Sequence, residues 1–492
     1  MMRANTDGFK IRRRYTNKKE AKKTLIAYID GAKTGTAGHF FEYPPTSYDD
    51  ANFSLGNLSS ILNEPLRGMY IHWPYCYLPN ELQKCDFCCS NTKNDINSKK
   101  LRKQYHNAVI KEIESYTSIV KEKNIEWIYF GGGTPLTMTN SELEAIFSTL
   151  YSSRCITRET FITVESRPEC ISQDKLDILK RYGVKRISIG VESFDEKTAF
   201  IMGRTRQEED YKKIVEKAIE HCRNFDMENI NIDLIYGHPS DTLDSVIDSI
   251  NYAISLSPDS IAAYPMGMPY GLTHIELKVQ QGLPIKPLEF RSLCFNNINE
   301  QLLNNGYIHV YDCIWSKKKV DTFNSNRING VANMWNQTCY LPIGVWIGIG
   351  VGSLGFIEDW GPIQNTNNID EYINKINSGQ LAIEKAVKFD ADEMLRCEIV
   401  LSILHGTIDK ERFKTKYNVN LYDLFELEFE ILQELKLVCI DDDSIIITQE
   451  AIPYLQAISR FFFSKEVEVK LRETEGKRID YRLYGINYSQ LQ

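Results

Sequence analysis

Cysteine is scarce in this chain, and its scarcity excludes one class of protein. There are 12 cysteines among 492 residues, far fewer than in small domains that depend on disulfide bonds for their stability. The first residues, "MMRANTDGFKIRRRYTNKK", lack the apolar stretch of a secretory signal peptide. We therefore expect a cytoplasmic, reducing location, where clustered thiols more often bind metal or do redox chemistry than form disulfides.

Positive charge and long apolar runs are also in short supply. The formal net charge is −8, which argues against a general nucleic-acid-binding protein. One uncharged stretch, "YLPIGVWIGIGVGSLGFI" at 340–357, is interrupted by five glycines and by Pro342. It predicts a buried strand and a glycine turn rather than a membrane span.

From Gly68 onward, apolar runs typical of β-strands alternate with helical patterns. The strand-like runs lie at 68–73, 126–132, 161–166, 186–193, 230–237 and 260–266, with a seventh at 307–312. The helical patterns lie at 98–121, 140–152, 173–182, 207–223, 241–256 and 288–305. This alternation predicts an α/β fold with a partial or full parallel β/α barrel of the TIM type. The active site of such a barrel lies at the C-terminal ends of its strands.

Changes in composition divide the chain into four predicted segments. An N-terminal arm is expected over residues 1–65, in which the basic stretch "IRRRYTNKKEAKK" predicts a solvated helix or a frayed segment, and the barrel with its extension is expected over 66–384. Amphipathic helices that end in a small β-hairpin predict a winged-helix-like domain over 385–463. The acidic charge favours docking or lid formation by this domain over DNA binding. Residues 464–492 form a charged tail.

Four of the cysteines crowd into one short segment after the first predicted strand. Cys76, Cys85, Cys88 and Cys89 lie within "YIHWPYCYLPNELQKCDFCCSN" at 70–91. Thiolates on a short loop suit zinc or an iron–sulfur cluster. A closed zinc site would need the adjacent Cys88 and Cys89 to point at one ion, which is strained. A [4Fe–4S] cluster held by Cys76, Cys85 and Cys88 would instead expose one iron to a chelating ligand.

Glycines and carboxylates mark the ends of later predicted strands. The run "YFGGGTP" places three glycines after the second strand, where a bare backbone can approach a ligand and present its amides. Glu165, Glu192 and Asp233 lie near the ends of the third, fourth and fifth strands. Each carboxylate taken singly is most simply a solvated loop residue. Three of them at one barrel mouth indicate a binding site.

Five motifs in a fixed order resemble those of radical S-adenosylmethionine (SAM) enzymes related to oxygen-independent coproporphyrinogen III oxidase and its heme-chaperone relatives. They read "YIHWPYC…CDFC", "FGGGTP", "RISIGVESF", "MGRT" and "NIDLIYGHP", and the resemblance extends from about Tyr70 to Phe463. It implies that Cys76, Cys85 and Cys88 hold a [4Fe–4S] cluster whose open iron binds SAM. It also implies that one or two SAM molecules contact Tyr70, the backbone at Phe87, Gly132, Gly133, Thr134, Glu165, Glu192, Arg204, Asp233, Gly267 and Leu354.

The resemblance further implies radical chemistry on an organic substrate in porphyrin biosynthesis. The cluster would give one electron to SAM, which would break to a 5′-deoxyadenosyl radical that abstracts hydrogen from a tetrapyrrole or another small molecule. A low-potential electron donor such as flavodoxin or ferredoxin is the implied partner, and neither nucleic acid nor a membrane is expected. Arg204 and Arg291 are candidates for binding tetrapyrrole propionates, although Arg291 alone is more typical of a solvated helix face. No catalytic acid or base is implied.

Departures from the family pattern keep other functions open. Eight residues, rather than three, separate Cys76 from Cys85, and Ser90 stands where the oxidase has a further cysteine. Glu192 stands where the oxidase has Gln, and the chaperones' His is missing before Asn333. An enzyme is favoured because the SAM-site pattern is kept. The alternatives are a heme chaperone and a radical methyltransferase or cyclopropanase that uses two SAM molecules.

Overall fold

A computed structural model of the protein describes residues 11–33, 66–77, 85–88, 99–120, 125–206, 209–266, 286, 288–311, 313–317, 345–357, 360–404 and 406–470. The predictions made for Cys89, for Gly267 and for the segment around Asn333 lie outside these residues. No helix in the described part of the chain is long and apolar enough to cross a membrane.

Six parallel strands form the centre of the molecule in the order in which they occur along the chain. They are β1 (Leu66–Trp73), β2 (Trp127–Gly132), β3 (Phe161–Ser166), β4 (Arg186–Glu192), β5 (Asn229–Tyr236) and β6 (Ser260–Pro265). Their residues are buried along nearly the whole length of each strand, as is typical of parallel sheets covered by helices. The predicted α/β fold with a mostly parallel sheet is confirmed.

Further strands extend the sheet on both sides. Beyond β1 lie β9 (Val345–Ile349), β10 (Leu354–Ile357), β11 (Gly361–Asn365) and β12 (Ile383–Ala386), and beyond β6 lie β8 (Ile314–Ser316) and β7 (Ile308–Tyr311). The strand β9 is parallel to β1. On that side β10 pairs antiparallel with β9 and β11, and β11 pairs antiparallel with β12. On the other side β8 pairs antiparallel with β6 and β7. The predicted strand and glycine turn are confirmed in the described residues 345–357. Among the described strands, β12 and β7 are the two ends of the sheet.

Helices connect the central strands and cover the sheet. They are α2 (Lys99–Ile119), α3 (Asn140–Ser152), α4 (Gln173–Arg181), α5 (Glu196–Ile201), α6 (Tyr211–Asn224), α7 (Leu243–Ser255) and α8 (Leu288–Asn304). A capping box formed by Thr139 and Glu142 begins α3, and Thr242 with Ser245 does the same for α7. These side chains satisfy backbone N–H groups that a helix leaves unpaired at its start.

The C-terminal part forms a compact group of helices with a small sheet. The helix α9 (Ile369–Asn377) precedes this group and packs on α2 beside the main sheet. The helices of the group are α10 (Ala391–Leu404), α11 (Lys410–Tyr417), α12 (Leu421–Leu424), α13 (Glu426–Glu434) and α14 (Leu455–Phe461). The sheet contains β13 (Thr407–Asp409), β14 (Val438–Ile440) and β15 (Ser444–Ile447), with β15 in the middle. These elements include the predicted helices and hairpin.

The basic N-terminal arm packs against the C-terminal helices. Its helix α1 (Lys18–Lys33) lies on α13 and α14. Arg12 donates to the carboxylate of Asp392 at 2.9 Å, and Arg14 donates to the carbonyl oxygen of Phe463 at 3.2 Å. Residues 18–33 of the arm are therefore helical, which is one of the two predicted forms of the basic stretch, but one face of this helix packs on the C-terminal helices.

Candidate active site

The cysteine segment lies at the C-terminal edge of the sheet. Cys76 follows the last residue of β1 by three positions. Cys85 and Cys88 share a tight turn, in which the N–H of Cys88 donates to the carbonyl oxygen of Cys85 at 3.1 Å. Burial, followed by the neighbouring Cys85, raises the pKa of the Cys76 thiol, and a hydrogen bond with Thr134 opposes this rise. The structure thus brings Cys76 and Cys85 together.

Two buried guanidinium groups contact the sulfur atom of Cys85. Nη1 of Arg204 lies 3.6 Å from this sulfur, and Nη1 of Arg167 lies 3.7 Å from it. Arg167 also donates to the carboxylate of Glu169 at 2.7 Å and to the carbonyl oxygen of Arg204 at 2.6 Å. Paired cations in a buried position favour a negatively charged group, such as a metal centre ligated by thiolates.

Among the described residues, no three His, Cys, Asp or Glu side chains form a group that could hold a metal ion. Cys76, Cys85 and Cys88 are among the described residues, so the structure does not bring these three thiols together as such a group.

The glycine run after β2 holds the segment that leads to the first cysteine. Gly132 has a φ of +102°, which residues with a side chain rarely adopt. A Cβ at Gly133 would lie 2.6 Å from the carbonyl oxygen of Tyr75. The N–H of Gly133 donates to the carbonyl oxygen of Trp73 at 2.7 Å, and the N–H of Thr134 donates to that of Tyr75 at 2.8 Å. These two amides are thus occupied within the protein.

Carboxylates of β3 and β5 lie on either side of β4. Glu165 accepts a hydrogen bond from the hydroxyl of Tyr129 at 2.6 Å. Asp233 accepts from Ser188 Oγ and from Asn231 Nδ2, each at 2.8 Å. Burial raises the pKa of Glu165 to about 7 and raises that of Asp233 as well. Both carboxylates therefore lie where a bound cation would stabilise their ionised form.

Glu192 and Arg204 meet above Gly190. A Cβ at Gly190 would lie 2.9 Å from Oε1 of Glu192 and 3.3 Å from Nη2 of Arg204. Glu192 has a φ of +72°, a strained conformation that is most often found at functional sites. Burial raises its pKa to about 7, and the charge of Arg204 opposes the shift. Arg204 therefore links the sulfur of Cys85 to the carboxylates at the strand ends.

The remaining predicted site residues lie around β1. The hydroxyl of Tyr70 is 3.2 Å from Nδ1 of His72. Gly348 lies opposite Tyr70 on β9, and a Cβ on Gly348 would lie 2.2 Å from the carbonyl oxygen of Leu354. Leu354 is thus beside β9, the strand that pairs with β1. Phe87 is partly exposed within the cysteine turn.

Several residues of the site were not among those predicted from the sequence. Arg167, Tyr129, Ser188 and Asn231 contact the predicted site residues directly. Ser188 and Asn231 could have been predicted, because residues two apart on a strand point to the same face. Ser188 lies two residues before Gly190, and Asn231 lies two residues before Asp233. Arg167 could not have been predicted, because nothing in one sequence shows that its side chain folds back onto Cys85.

A buried carboxylate on α2 fixes the turn between β9 and β10. Glu112 accepts hydrogen bonds from the N–H of Gly350 at 2.7 Å, from the hydroxyl of Tyr372 at 2.7 Å and from Nδ2 of Asn365 at 3.0 Å. These bonds connect α2, α9 and the strand β11 to the turn that precedes Leu354.

Glu112→Gln is expected to weaken the pH dependence of stability. Burial raises the pKa of Glu112 from 4.5 to about 7. Between these two values the folded chain keeps a proton that the unfolded chain has lost, so this group lowers the free energy of unfolding as the pH rises. The change in that free energy between about pH 5 and about pH 8 should be about 2–3 kcal/mol smaller in the variant.

Urea unfolding of parent and variant at both pH values measures this difference. Glu411→Gln, at a largely exposed position, is the matched control and should leave the pH dependence unchanged. The prediction is wrong if Glu112→Gln and Glu411→Gln give the same pH dependence.

The chain is similar in sequence to known proteins. The profile of the Radical SAM superfamily matches residues 74–253. The chain is 22% identical to the oxygen-independent coproporphyrinogen III oxidase of Synechocystis sp., over 81% of the chain and 85% of that protein. It is 25% identical to the heme chaperone HemW of Bacillus subtilis, over 78% of the chain and 96% of that protein.

One solved structure shares the fold over almost its whole length. Coproporphyrinogen III oxidase (HemN) from Escherichia coli, a radical SAM enzyme, superposes with a TM-score of 0.72 at 19% sequence identity. The match covers 89% of this chain and 98% of that one.

Proposed function

We propose that the chain is a hydrogen-abstracting enzyme of the radical SAM superfamily, because residues 74–253 match the profile of that superfamily and the chain is similar to oxygen-independent coproporphyrinogen III oxidases and heme chaperones. Its cofactors are a [4Fe–4S] cluster and SAM. The observation that carries the proposal is the position of Arg204, which contacts the sulfur of Cys85 at 3.6 Å and lies beside Glu192. A single cation thereby joins the thiol loop to the buried carboxylates.

The thiol loop fits an iron–sulfur cluster, and Cys76, Cys85 and Cys88 would hold it. Three thiols are the donor set that such clusters use, and they leave one iron for another ligand. Arg167 and Arg204 offset the negative charge that thiolates and sulfides carry. When bound, the cluster supplies the electron that cleaves SAM to methionine and a 5′-deoxyadenosyl radical.

The carboxylates at the strand ends would bind SAM. SAM carries positive charge on its sulfonium and amino groups, and its ribose hydroxyls donate hydrogen bonds. Glu165, Glu192 and Asp233 supply acceptors and negative charge for these groups in a buried position. Their burial also excludes water, which protects a reactive intermediate from side reactions.

The proposed substrate class is suggested by Arg291 on α8, whose guanidinium lies beside Met266, the residue after β6. Arg291 donates from Nη1 to the carbonyl oxygen of Met266 at 3.2 Å, and its Cγ would lie 2.8 Å from a Cβ at Gly237. Its buried Nε has no hydrogen-bond partner among the described residues. A guanidinium in this state suits a carboxylate, so an organic acid such as a propionate-bearing tetrapyrrole is the proposed substrate. The sequence alone predicted a solvated helix face for Arg291. In the structure its side chain is instead partly buried and contacts Met266.

A heme chaperone is the second candidate, and the similarity to HemW favours it. The two functions make different demands on SAM, because an enzyme consumes it whereas a chaperone binds heme stoichiometrically.

The test is anaerobic reconstitution with iron and sulfide, reduction with dithionite, and incubation with SAM. We expect many equivalents of 5′-deoxyadenosine per cluster in the presence of coproporphyrinogen III or a related carboxylated substrate. Tight one-to-one heme binding with only trace 5′-deoxyadenosine would identify the chaperone instead.

A further inference from the structure

The loop that follows β5 contacts the cysteine turn through a buried histidine. The side chain of His238 is 0% exposed, and its Nε2 lies 2.9 Å from Oδ2 of Asp86, which is 7% exposed. Asp86 is the residue directly after Cys85. A side chain from the end of the fifth strand therefore reaches into the turn that carries two of the proposed cluster ligands.

The hydrogen bonds of the ring fix its tautomer. The backbone N–H of Ser240 lies 3.1 Å from Nδ1 of His238. A backbone N–H can only donate, so Nδ1 accepts and the proton of a neutral ring is on Nε2. Nε2–H then donates to the carboxylate of Asp86, a charge-assisted hydrogen bond in a buried position.

His238 is itself held firmly. Its backbone N–H donates to Oδ2 of Asp241 at 2.9 Å. The hydroxyl of Ser240, which lies beside the ring, donates to that of Thr198 on α5 at 3.1 Å. The ring is thus anchored within the loop after β5 and, through Ser240, to α5, so it can hold Asp86 in place.

The cysteine turn needs such an anchor because Cys76 does not fix its position. Eight residues separate Cys76 from Cys85, and each added residue raises the entropy that is lost when the ends of a loop are brought together. Two further contacts hold the turn: the N–H of Asp86 donates to the carbonyl oxygen of Met202 at 3.3 Å, and Sγ of Cys85 lies 3.7 Å from the carbonyl oxygen of Gly203. The first of these contacts joins two backbone groups, and the second uses the thiol of a proposed cluster ligand. The pair of Asp86 and His238 joins two side chains that are not ligands.

We propose that His238 is a positioning residue that holds Asp86, and through it the turn from Cys85 to Cys88, against the end of β5. The pair sets the place of two cluster ligands relative to the strand that carries Asp233. This inference rests on the ligand assignment of the proposed function. It identifies His238 as a residue on which the integrity of the cluster depends, although His238 is neither a proposed cluster ligand nor a proposed SAM-binding residue.

His238→Leu removes the donor and leaves the carboxylate of Asp86 buried. Loss of a residue that orients a metal ligand typically costs about ten- to a hundredfold in metal affinity. We therefore expect iron to leave the reconstituted cluster for a ferrous chelator about tenfold faster than in the parent, or faster still. His238→Gln, whose amide N–H2 takes the place of Nε2–H, should restore most of the parent rate.

His106→Leu is the matched control. His106 is also buried, at 7% exposure, but its Nε2 lies 2.9 Å from the carbonyl oxygen of Glu142 at the start of α3. Both leucine variants should lower the melting temperature of the apoprotein, whereas only His238→Leu should accelerate iron loss and alter the EPR signal of the reduced cluster.

The outcomes separate this inference from the proposed function. If the parent assembles no cluster, the proposed function fails. If the parent assembles one and His238→Leu releases iron as slowly as His106→Leu, the positioning role is wrong. Should His238→Leu not fold by circular dichroism, Asp86→Leu breaks the same contact from the other side, and a parent-like release rate in that variant equally overturns the inference.

Discussion

Cys85→Ala is expected to abolish both cluster assembly and SAM cleavage, whereas Cys89→Ala should leave both close to the parent level. Cys85 is buried, and two guanidinium groups lie 3.6 and 3.7 Å from its sulfur. Removal of this thiolate takes away a cluster ligand and one of the negative groups that the two buried cations contact. Cys76→Ala and Cys88→Ala should have the same effect.

Iron content after anaerobic reconstitution, together with 5′-deoxyadenosine formation, measures the result for each variant. Cys439→Ala is a further control, since Cys439 is exposed on β14 in the C-terminal sheet. A loss of iron from Cys89→Ala as large as the loss from Cys88→Ala would show that the ligand assignment is wrong.

Asp233→Asn is expected to weaken SAM binding about ten- to a hundredfold, which corresponds to about 1–3 kcal/mol. Both oxygens of Asp233 accept hydrogen bonds, from Ser188 and from Asn231. An amide nitrogen in place of one oxygen would face a donor, and the negative charge opposite the SAM cation would be lost. Glu192→Gln, which introduces the residue of the oxidase at this position, should have a milder effect.

Isothermal titration with SAM, on protein whose cluster content has been verified, measures these affinities. Asp248→Asn serves as the control, because Asp248 is exposed on α7. SAM affinities of Asp233→Asn and Glu192→Gln that both equal the parent value would remove the carboxylates from the SAM site.

The central strands could be predicted closely from the sequence because each is an apolar run bounded by polar or glycine residues. The predicted run at 161–166, for instance, is β3 without change. Helix starts were less certain, because several polar residues can compete for the capping position. The predicted helical pattern begins at Asp241, yet Thr242 caps α7, and Asp241 instead accepts from the backbone of His238.

Side chains that meet across long stretches of sequence could not be predicted. Asp86 and His238 are 152 positions apart, and neither lies in a pattern that indicates a contact. Arg12 and Asp392 are 380 positions apart, so the packing of the N-terminal arm was equally hidden. The strand-end carboxylates could be predicted, since the geometry of a parallel sheet alone brings the C-terminal ends of its strands together.

EPR spectroscopy of the reduced, reconstituted parent chain, recorded with and without SAM, tests the central claim most directly. The account predicts a reduced [4Fe–4S] signal that changes when SAM is added, because three cysteines leave one iron open to SAM. A chain that assembles no such cluster, or a cluster whose signal is identical with and without saturating SAM, would contradict it.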